Sequence, residues 1–406
     1  MSKVKLGDVM TLHRGYDLPN AQRIDGDVPI IGSSGVSGSH NVARLHDKNV
    51  ITGRYGTIGK VFYHDGPCWP LNTTLYVEDF HDNNARYVAY LLEAILASPV
   101  INGGDKSTVP GIDRNALHAM EIPYIENHDE QGLIANVLSS IDDKIALNKK
   151  IMTELEKTSR LIYDYWFTQF DFPDENGKPY RSSGGKMVYN ETLKREIPEG
   201  WEAVSVNELV RIEKGISYKA NDLKGEGVPM INLASFNTDG TYKVEGLKSY
   251  SGALDSRKMV SSLDLVMCIT QQTAIDLSGK TNVIGKTFFV PDIFSKTTVI
   301  STDVCKLMVR NDAYAYVLNG LFKRSDIHKY IVGFANGTKI KHLDTASAFN
   351  LRVAVPPNGS DVLRIYSVKV RLFEKEKNNL LRENLRLEAL RDWLLPMLMN
   401  GQVHVG

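Results

Sequence analysis

Cysteine is scarce in this chain of 406 residues. Cys68, Cys268 and Cys305 stand far apart, match no metal-ligand spacing and fit a reducing compartment. Long apolar runs are missing too: no stretch reaches the roughly eighteen residues of a membrane-crossing helix. The opening MSKVKLGDVM lacks the apolar core of a signal peptide, so a cytoplasmic location is expected. Net charge is absent, with 48 Lys and Arg against 48 Asp and Glu. That balance argues against a protein whose grip on nucleic acid comes from bulk positive charge. It is uneven, however: residues 1–127 carry 11 basic and 14 acidic side chains, and residues 200–357 carry 19 and 15. A DNA reader with this balance depends on local patches or on partners.

Catalytic signatures are lacking as well. Gly53-Arg54-Tyr55-Gly56-Thr57-Ile58-Gly59-Lys60 resembles a phosphate-binding loop, but five residues separate its outer glycines where that loop has four, and Val61 follows the lysine. Tight turns joining strands are the expectation there and at residues 279–287. Residues 32–38 miss the nucleophile-elbow spacing, because Val36 stands where the second glycine belongs. Pro173-Asp174 and Pro291-Asp292 lack the partner residues of a metal-dependent nuclease, and the ten histidines show no ligand spacing. Val355-Pro356-Pro357-Asn358 is a helix-entry breaker, not the tetrad of an adenine amino methyltransferase.

What is present is a long seam. Ile134, Leu138, Ile141, Ile145, Asn148, Met152, Leu155, Ser159, Ile162 and Trp166 recur at alternating steps of four and three. The pattern predicts one helix over about 129–167, roughly 55–60 Å at 1.5 Å per residue, too long for an ordinary core helix. A second candidate spans 361–399, with the seam Tyr366, Val370, Phe373, Lys377, Leu380, Asn384, Leu387, Arg391 and Leu394 and a competing stripe through Leu381, Leu385 and Leu390. The two helices suggest an antiparallel intramolecular coiled coil, with Asn148 and Asn384 as register-setting polar positions. The alternative is that each helix packs on its own neighbouring domain.

The rest of the chain repeats. Val28-Pro29-Ile30-Ile31 recurs as Val228-Pro229-Met230-Ile231, and Ile58-Gly59-Lys60 as Ile284-Gly285-Lys286. Thr73-Thr74 is matched with Thr297-Thr298, and Ile122-Pro123 with Val355-Pro356. The fold class read from this order is α/β: two tandem domains of mixed α/β structure, 1–127 and 201–357, each followed by a long helix, 128–170 and 358–406. Residues 171–200, rich in Pro, Gly and Ser, form a linker or surface strap. Strands are expected at 49–52, 60–63, 75–77 and 120–124, then at 265–269, 287–290, 304–309 and 351–355. Helices are expected at 85–96 and 313–322.

Polar loops of the kind that read nucleic acid remain. In the first half the candidate DNA-binding residues are Ser33, Ser34, Ser37, His40 and Asn41 in one loop, Arg54 and Tyr55 in the next, then Asn72, Thr73 and Thr74, then Lys106 and Ser107. In the second half they are Tyr218 and Lys219, Asn232, Gln271 and Gln272, Lys296, and Lys339 and Lys341. Arg and Lys suit guanine, Asn and Gln suit adenine, and Lys, Ser and Thr suit phosphate. No residue is assigned a catalytic or metal-binding role.

These residues carry a resemblance. Gly53 to Lys60, Leu71-Asn72-Thr73-Thr74-Leu75-Tyr76-Val77 and Ser107-Thr108-Val109-Pro110-Gly111-Ile112 resemble the specificity (S) subunit of type I restriction–modification enzymes. So do Trp166-Phe167-Thr168-Gln169-Phe170-Asp171-Phe172-Pro173, Gly177-Lys178-Pro179-Tyr180, Ser182-Ser183-Gly184-Gly185, Ile197-Pro198-Glu199-Gly200-Trp201 and Leu394-Leu395-Pro396-Met397-Leu398-Met399-Asn400-Gly401. The second half departs at residues 276–280 and at Thr338-Lys339-Ile340-Lys341, which is aligned with Thr108-Val109-Pro110-Gly111. The resemblance implies a non-catalytic reader of double-stranded DNA, with two target recognition domains that each bind one half of a split, asymmetric site. It implies two modification (methyltransferase) subunits docked on the helices, and restriction/translocase subunits beside them. S-adenosylmethionine, ATP and Mg are then expected in those partners and none in this chain. A stand-alone DNA methyltransferase or nuclease with a divergent site is the competing reading, and a coiled-coil adaptor that no longer binds DNA is a third.

Overall fold

The computed structural model describes residues 2–97, 111–272, 282–294 and 297–405. The chain divides into two compact units, residues 1–147 with 384–406, and residues 148–383.

In the first unit a four-stranded antiparallel sheet has the order Thr11–Arg14, Thr74–Asp79, Lys48–Gly53, Val61–Asp65. A smaller sheet sets Val28–Gly32 between Gly35–His40 and the parallel strand Trp69–Pro70. Ser2–Lys5 pairs with Glu121–Tyr124. The helix Ala85–Leu96 begins where the Asn84 side chain accepts from the Arg86 and Tyr87 amides at 3.0 and 3.1 Å, the bonds of an N-cap. Its Tyr87, Val88, Leu91 and Leu92 enter a core with Leu12, Val50, Leu75 and Val77.

The second unit repeats that order: Val210–Lys214, Val304–Val309, Leu265–Cys268, Thr287–Phe289. Its smaller sheet runs Lys248–Tyr250, Val228–Ile231, Thr298–Ile300, Met259–Val260. Glu202–Ser205 pairs with Arg352–Val355. Asp312–Lys323 is again a helix capped by an asparagine, Asn311, which accepts from the Ala313 amide at 2.9 Å. A further sheet joins Thr270–Gln272, Ile340–Leu343 and Ala335–Asn336.

The repeat extends to single hydrogen bonds. Gly15 N donates to Thr74 O and Gly215 N to Val304 O, both at 3.1 Å. Arg54 N donates to Thr73 O and Ile269 N to Asp303 O, both at 2.8 Å. Ile112 N donates to Arg54 O and Leu343 N to Ile269 O, both at 2.9 Å. This register corrects two sequence matches. Thr73-Thr74 corresponds to Asp303-Val304, not to Thr297-Thr298, whose Thr298 opens the counterpart of Trp69–Pro70. Ile112 corresponds to Leu343, one residue later than the sequence alignment has it. Short Thr-rich segments align by composition, whereas backbone pairing fixes register.

The long helices are His128–Tyr163, followed by a wider π turn at Asp164–Thr168, and Asp361–Met399. Asn127 caps the first through the Asp129 and Glu130 amides at 2.9 and 3.2 Å. All ten seam positions of the first are buried or half-buried, as are the nine of the second, while Leu390 of the competing stripe is exposed. In the first unit Asp142 meets Arg391 at 3.1 Å and Glu130 meets His404 at 2.8 Å. In the second, Asn148 Nδ2 donates to Glu383 at 2.8 Å and Lys377 to Glu156 at 2.8 Å. Within each unit, numbers rise along one helix as they fall along the other. Both helices enter each core: Ile134 and Leu138 with Leu395 and Leu398 in the first, Tyr163 and Trp166 with Tyr366 and Val370 in the second.

Residues 171–200 are an ordered part of the second unit. They contain the hairpin Met187–Asn190 with Arg195–Pro198, where the composition predicts a linker or surface strap. Phe172 stacks between Tyr180 at 4.6 Å and Trp201 at 5.3 Å, and Phe170 is fully buried. Proline and glycine masked the strand pattern here, and aromatic burial holds the strap instead.

Candidate nucleic-acid interface

In the first unit, turns from three separated segments meet at one end of the sheets. Gly53 to Lys60 is the tight turn expected, joining Lys48–Gly53 to Val61–Asp65. A Cβ on Gly53 would lie 1.9 Å from Thr57 O and 3.1 Å from the Ser33 Cβ, and Gly56 has φ +85°. Only glycine admits that approach. The turn presents Arg54, whose guanidinium lies 4.6 Å from the centroid of the exposed Tyr55 ring. Thr73 O accepts from the Arg54 and Tyr55 amides, placing Asn72 and Thr73 beside them. Asn72 Nδ2 donates to Asp17, which also faces Arg14 at 3.4 Å.

The segment from Ser33 to Asn41 is not a flexible loop. Its turn carries Ser33 and Ser34, and the strand Gly35–His40 follows. Gly35 and Gly38 have positive φ, and the pairing shifts register between Ile30 and Ile31, so backbone bonds, not side-chain alternation, make this strand. Ser34, Ser37 and Asn41 are exposed. His40 is buried edge-on to Trp69 at 5.2 Å and accepts from the Ile24 amide at 3.1 Å, so it serves the core. Thr74 is fully buried, its hydroxyl donating to Leu71 O at 2.7 Å. Lys106, Ser107 and Lys296 lie outside the described residues, as do residues 276–280.

In the second unit a cleft of about 580 Å³ is lined by Tyr218, Asn232, Lys243, Lys248, Gln271, Gln272 and Asp303, among others. Four of the expected residues therefore converge there. Two are engaged by the fold. Asn232 is buried, donating to Gly246 O at 2.6 Å and accepting from the Ala234 amide at 2.9 Å. Gln271 accepts from the Val283 amide at 2.9 Å. Gln272 is exposed at the strand end, where Gln271 pairs with Lys341 and Gln272 with Ile340. Lys341 is half-buried on that neighbouring strand, and Lys339 precedes it, exposed. Lys219 is exposed at the start of a short helical turn.

Sequence reasoning missed Arg44, Lys243 and Lys248. Lys248 Nζ donates to Tyr218 Oη at 3.0 Å and lies 5.2 Å from that ring's centroid. Arg44 lies 5.0 Å from the Tyr16 ring centroid and 4.8 Å from that of Trp69. Each partner is some thirty residues distant in sequence, so no local pattern announces them. Among the described residues no group of three or more His, Cys, Asp or Glu side chains is placed to hold a metal ion, and no helix is long and apolar enough to cross a membrane. The three thiols are buried, and burial raises each of them, Cys68 to about 11 and Cys305 to about 12.

Residues 1–157 match the family model of the type I restriction modification DNA specificity domain. A crystal structure of a type I restriction–modification system S subunit from M. genitalium superposes with a TM-score of 0.59 at 17% identity, covering 98% of this chain and 96% of that one. That likeness shows the mixed α/β fold. Among sequences, the chain is 26% identical to the type I restriction enzyme MjaIX specificity subunit of Methanocaldococcus jannaschii, over 79% of this chain and 69% of the relative. It is 22% identical to the type I restriction enzyme HindI specificity subunit of Haemophilus influenzae, over 73% and 72%. The chain thus resembles the specificity subunits of type I restriction–modification enzymes, as its motifs imply, and these relatives are named as specificity subunits, not as catalytic ones.

Proposed function

We propose that this chain is the non-catalytic DNA sequence-recognition subunit of a type I restriction–modification complex. The observation that carries the reading is the repeat: the same strand order occurs twice, each time ending in a distinct set of polar side chains. Residues 1–127 and 201–357 are the two target recognition domains, each reading one half of a bipartite, asymmetric site. Base edges are read by Arg54 and Tyr55 in one domain and by Gln272 and Lys341 in the other. The two long helices form an antiparallel coiled coil that sets the unread spacer between half-sites and docks two modification subunits. Restriction subunits join the same complex. Methyl transfer, with S-adenosylmethionine, and ATP-driven cleavage belong to those partners.

The test is genome-wide mapping of methylated adenines in cells carrying the modification subunits with and without this gene. A split motif that appears only with the gene is the expected result. Replacing residues 1–127 by the first domain of another specificity subunit is expected to change one half-site only. Methyl transfer or metal-dependent cleavage by the purified chain alone would overturn the reading in favour of an enzyme.

A further inference from the structure

Among the described residues, each unit has a cation without an ion pair set against aromatic rings beside its smaller sheet. In the first unit Arg44 is exposed above Tyr16 and Trp69, at 5.0 and 4.8 Å from their centroids. Trp69 lies on the smaller sheet itself, and Tyr16 follows the close-packed Gly15. In the second unit Lys248 opens a strand of the smaller sheet and reaches Tyr218, three residues beyond the corresponding Gly215, so this ring is not the positional counterpart of Tyr16. Among the described residues neither cation forms an ion pair. The cleft beside Lys248 adds the exposed Lys243 and Gln272, and the one carboxylate among the described residues that line it, Asp303, accepts from Ser301 Oγ at 3.3 Å. With Asn232 and Gln271 engaged by backbone, what this surface offers outward is mostly donors. A base edge presents donors and acceptors together, whereas a phosphate presents acceptors only.

We infer that Arg44 and Lys248 each seat a backbone phosphate of duplex DNA, positioning their units on the helix without reading sequence. This rests on the DNA-recognition reading above and assigns it residues that the sequence did not. Stacking on an aromatic ring fixes the cation before DNA arrives, so little side-chain freedom is lost on binding. Each phosphate contact releases condensed counterions, which makes it visible in the salt dependence.

The experiment measures binding of the full chain with its modification subunits across a salt series. Two duplexes are used, one bearing the sequence methylated by the unaltered complex and one unrelated. Arg44→Met and Lys248→Met are each expected to reduce the slope of log affinity against log salt by about 0.9. Both duplexes should weaken by the same factor, roughly fivefold near 0.15 M salt, with the methylated sequence unchanged. Arg44→Lys and Lys248→Arg are expected to keep the slope. An unchanged slope in a complex that still methylates its site defeats this inference alone. So does a changed methylated sequence, which would make the residue a base reader, or a loss of slope in the charge-conserving variants. If the unaltered complex shows no sequence-specific binding, the proposed function fails and this inference with it.

Discussion

Glu156, on the first long helix, has its carboxylate between the ammonium groups of Lys323 and Lys377, and Lys377 also meets Glu374 at 2.7 Å. All four side chains are at least 86% buried, and their two positive and two negative charges cancel. Burial by itself would raise the Glu156 carboxyl, but the two lysines more than offset it and hold it well below the usual carboxylate range. Its stabilising effect is therefore present above the ordinary carboxyl range and is lost only as pH falls through and below it. Glu156→Gln leaves two buried ammonium groups facing one carboxylate. Urea unfolding at neutral pH is expected to show a loss of about 3–5 kcal/mol; a loss under about 1 kcal/mol would mean that water solvates the group. His328 works in the opposite sense. Burial, with Lys286 nearby, pushes its imidazole down to about 4 while Nε2 donates to Ile284 O at 3.1 Å. The unfolded chain takes up that proton near pH 6.5, so stability should fall between about 6.5 and 4 and then level off. His328→Gln is expected to flatten that window by up to one proton in a pH series of unfolding midpoints. An unchanged slope would show that the imidazole is solvated.

At the scale of elements, Gly15 and Gly215 end the first strand of each four-stranded sheet. A Cβ there would lie 2.1 Å from Leu71 O in the first unit and 2.1 Å from Ser301 O in the second. A backbone carbonyl cannot swing aside as a side chain can, so each Gly→Ala change is expected to cost about 1–3 kcal/mol or more. Thermal unfolding of the two variants, with protease mapping of the unit that opens first, should show Gly15→Ala loosening residues of the first unit and Gly215→Ala those of the second. Gly132, in the first long helix with open space around it, is the control. Gly132→Ala is expected to be neutral or to stabilise by roughly 0.5–1 kcal/mol. The repeat was legible where strands are buried apolar runs, as in Leu265–Cys268, and where a helix carries a full apolar face, as in Ala85–Leu96. Strands were illegible in Gly35–His40, Ile340–Leu343 and the Met187–Asn190 hairpin, whose side chains are largely exposed or half-buried and whose pairing comes from the backbone.

At the scale of the molecule, the proposed spacer role of the helices carries its own prediction. One heptad inserted after Ala146 and another after Arg386 falls between the Asp142–Arg391 pair and the Asn148–Glu383 bond. A point near Lys377 is unsuitable, because its ammonium holds Glu156 and Glu374. Seven residues add about 10 Å, and DNA rises about 3.4 Å per base pair. The unread spacer should then grow by roughly three pairs, with one half-site turned by about 100°. Methylation mapping of an active double insertion reads the outcome. The original spacer with both half-sites intact would show that the helices are not the ruler.

Periodicity determined the long helices, because seam burial is written in residue spacing. Repetition of buried apolar strands likewise determined that the chain folds twice in one pattern. Tertiary structure alone decided which polar residues face outward. Asn232, Gln271, His40 and Thr74 look like ligand-binding residues in sequence, yet each is buried with its polar group bonded inside the fold. Arg44 and Lys248 look ordinary, yet each stands on an aromatic ring contributed by a distant segment. A side chain's chemistry is local, but its free hydrogen-bonding capacity depends on which backbone groups the fold brings against it, and that is a long-range property.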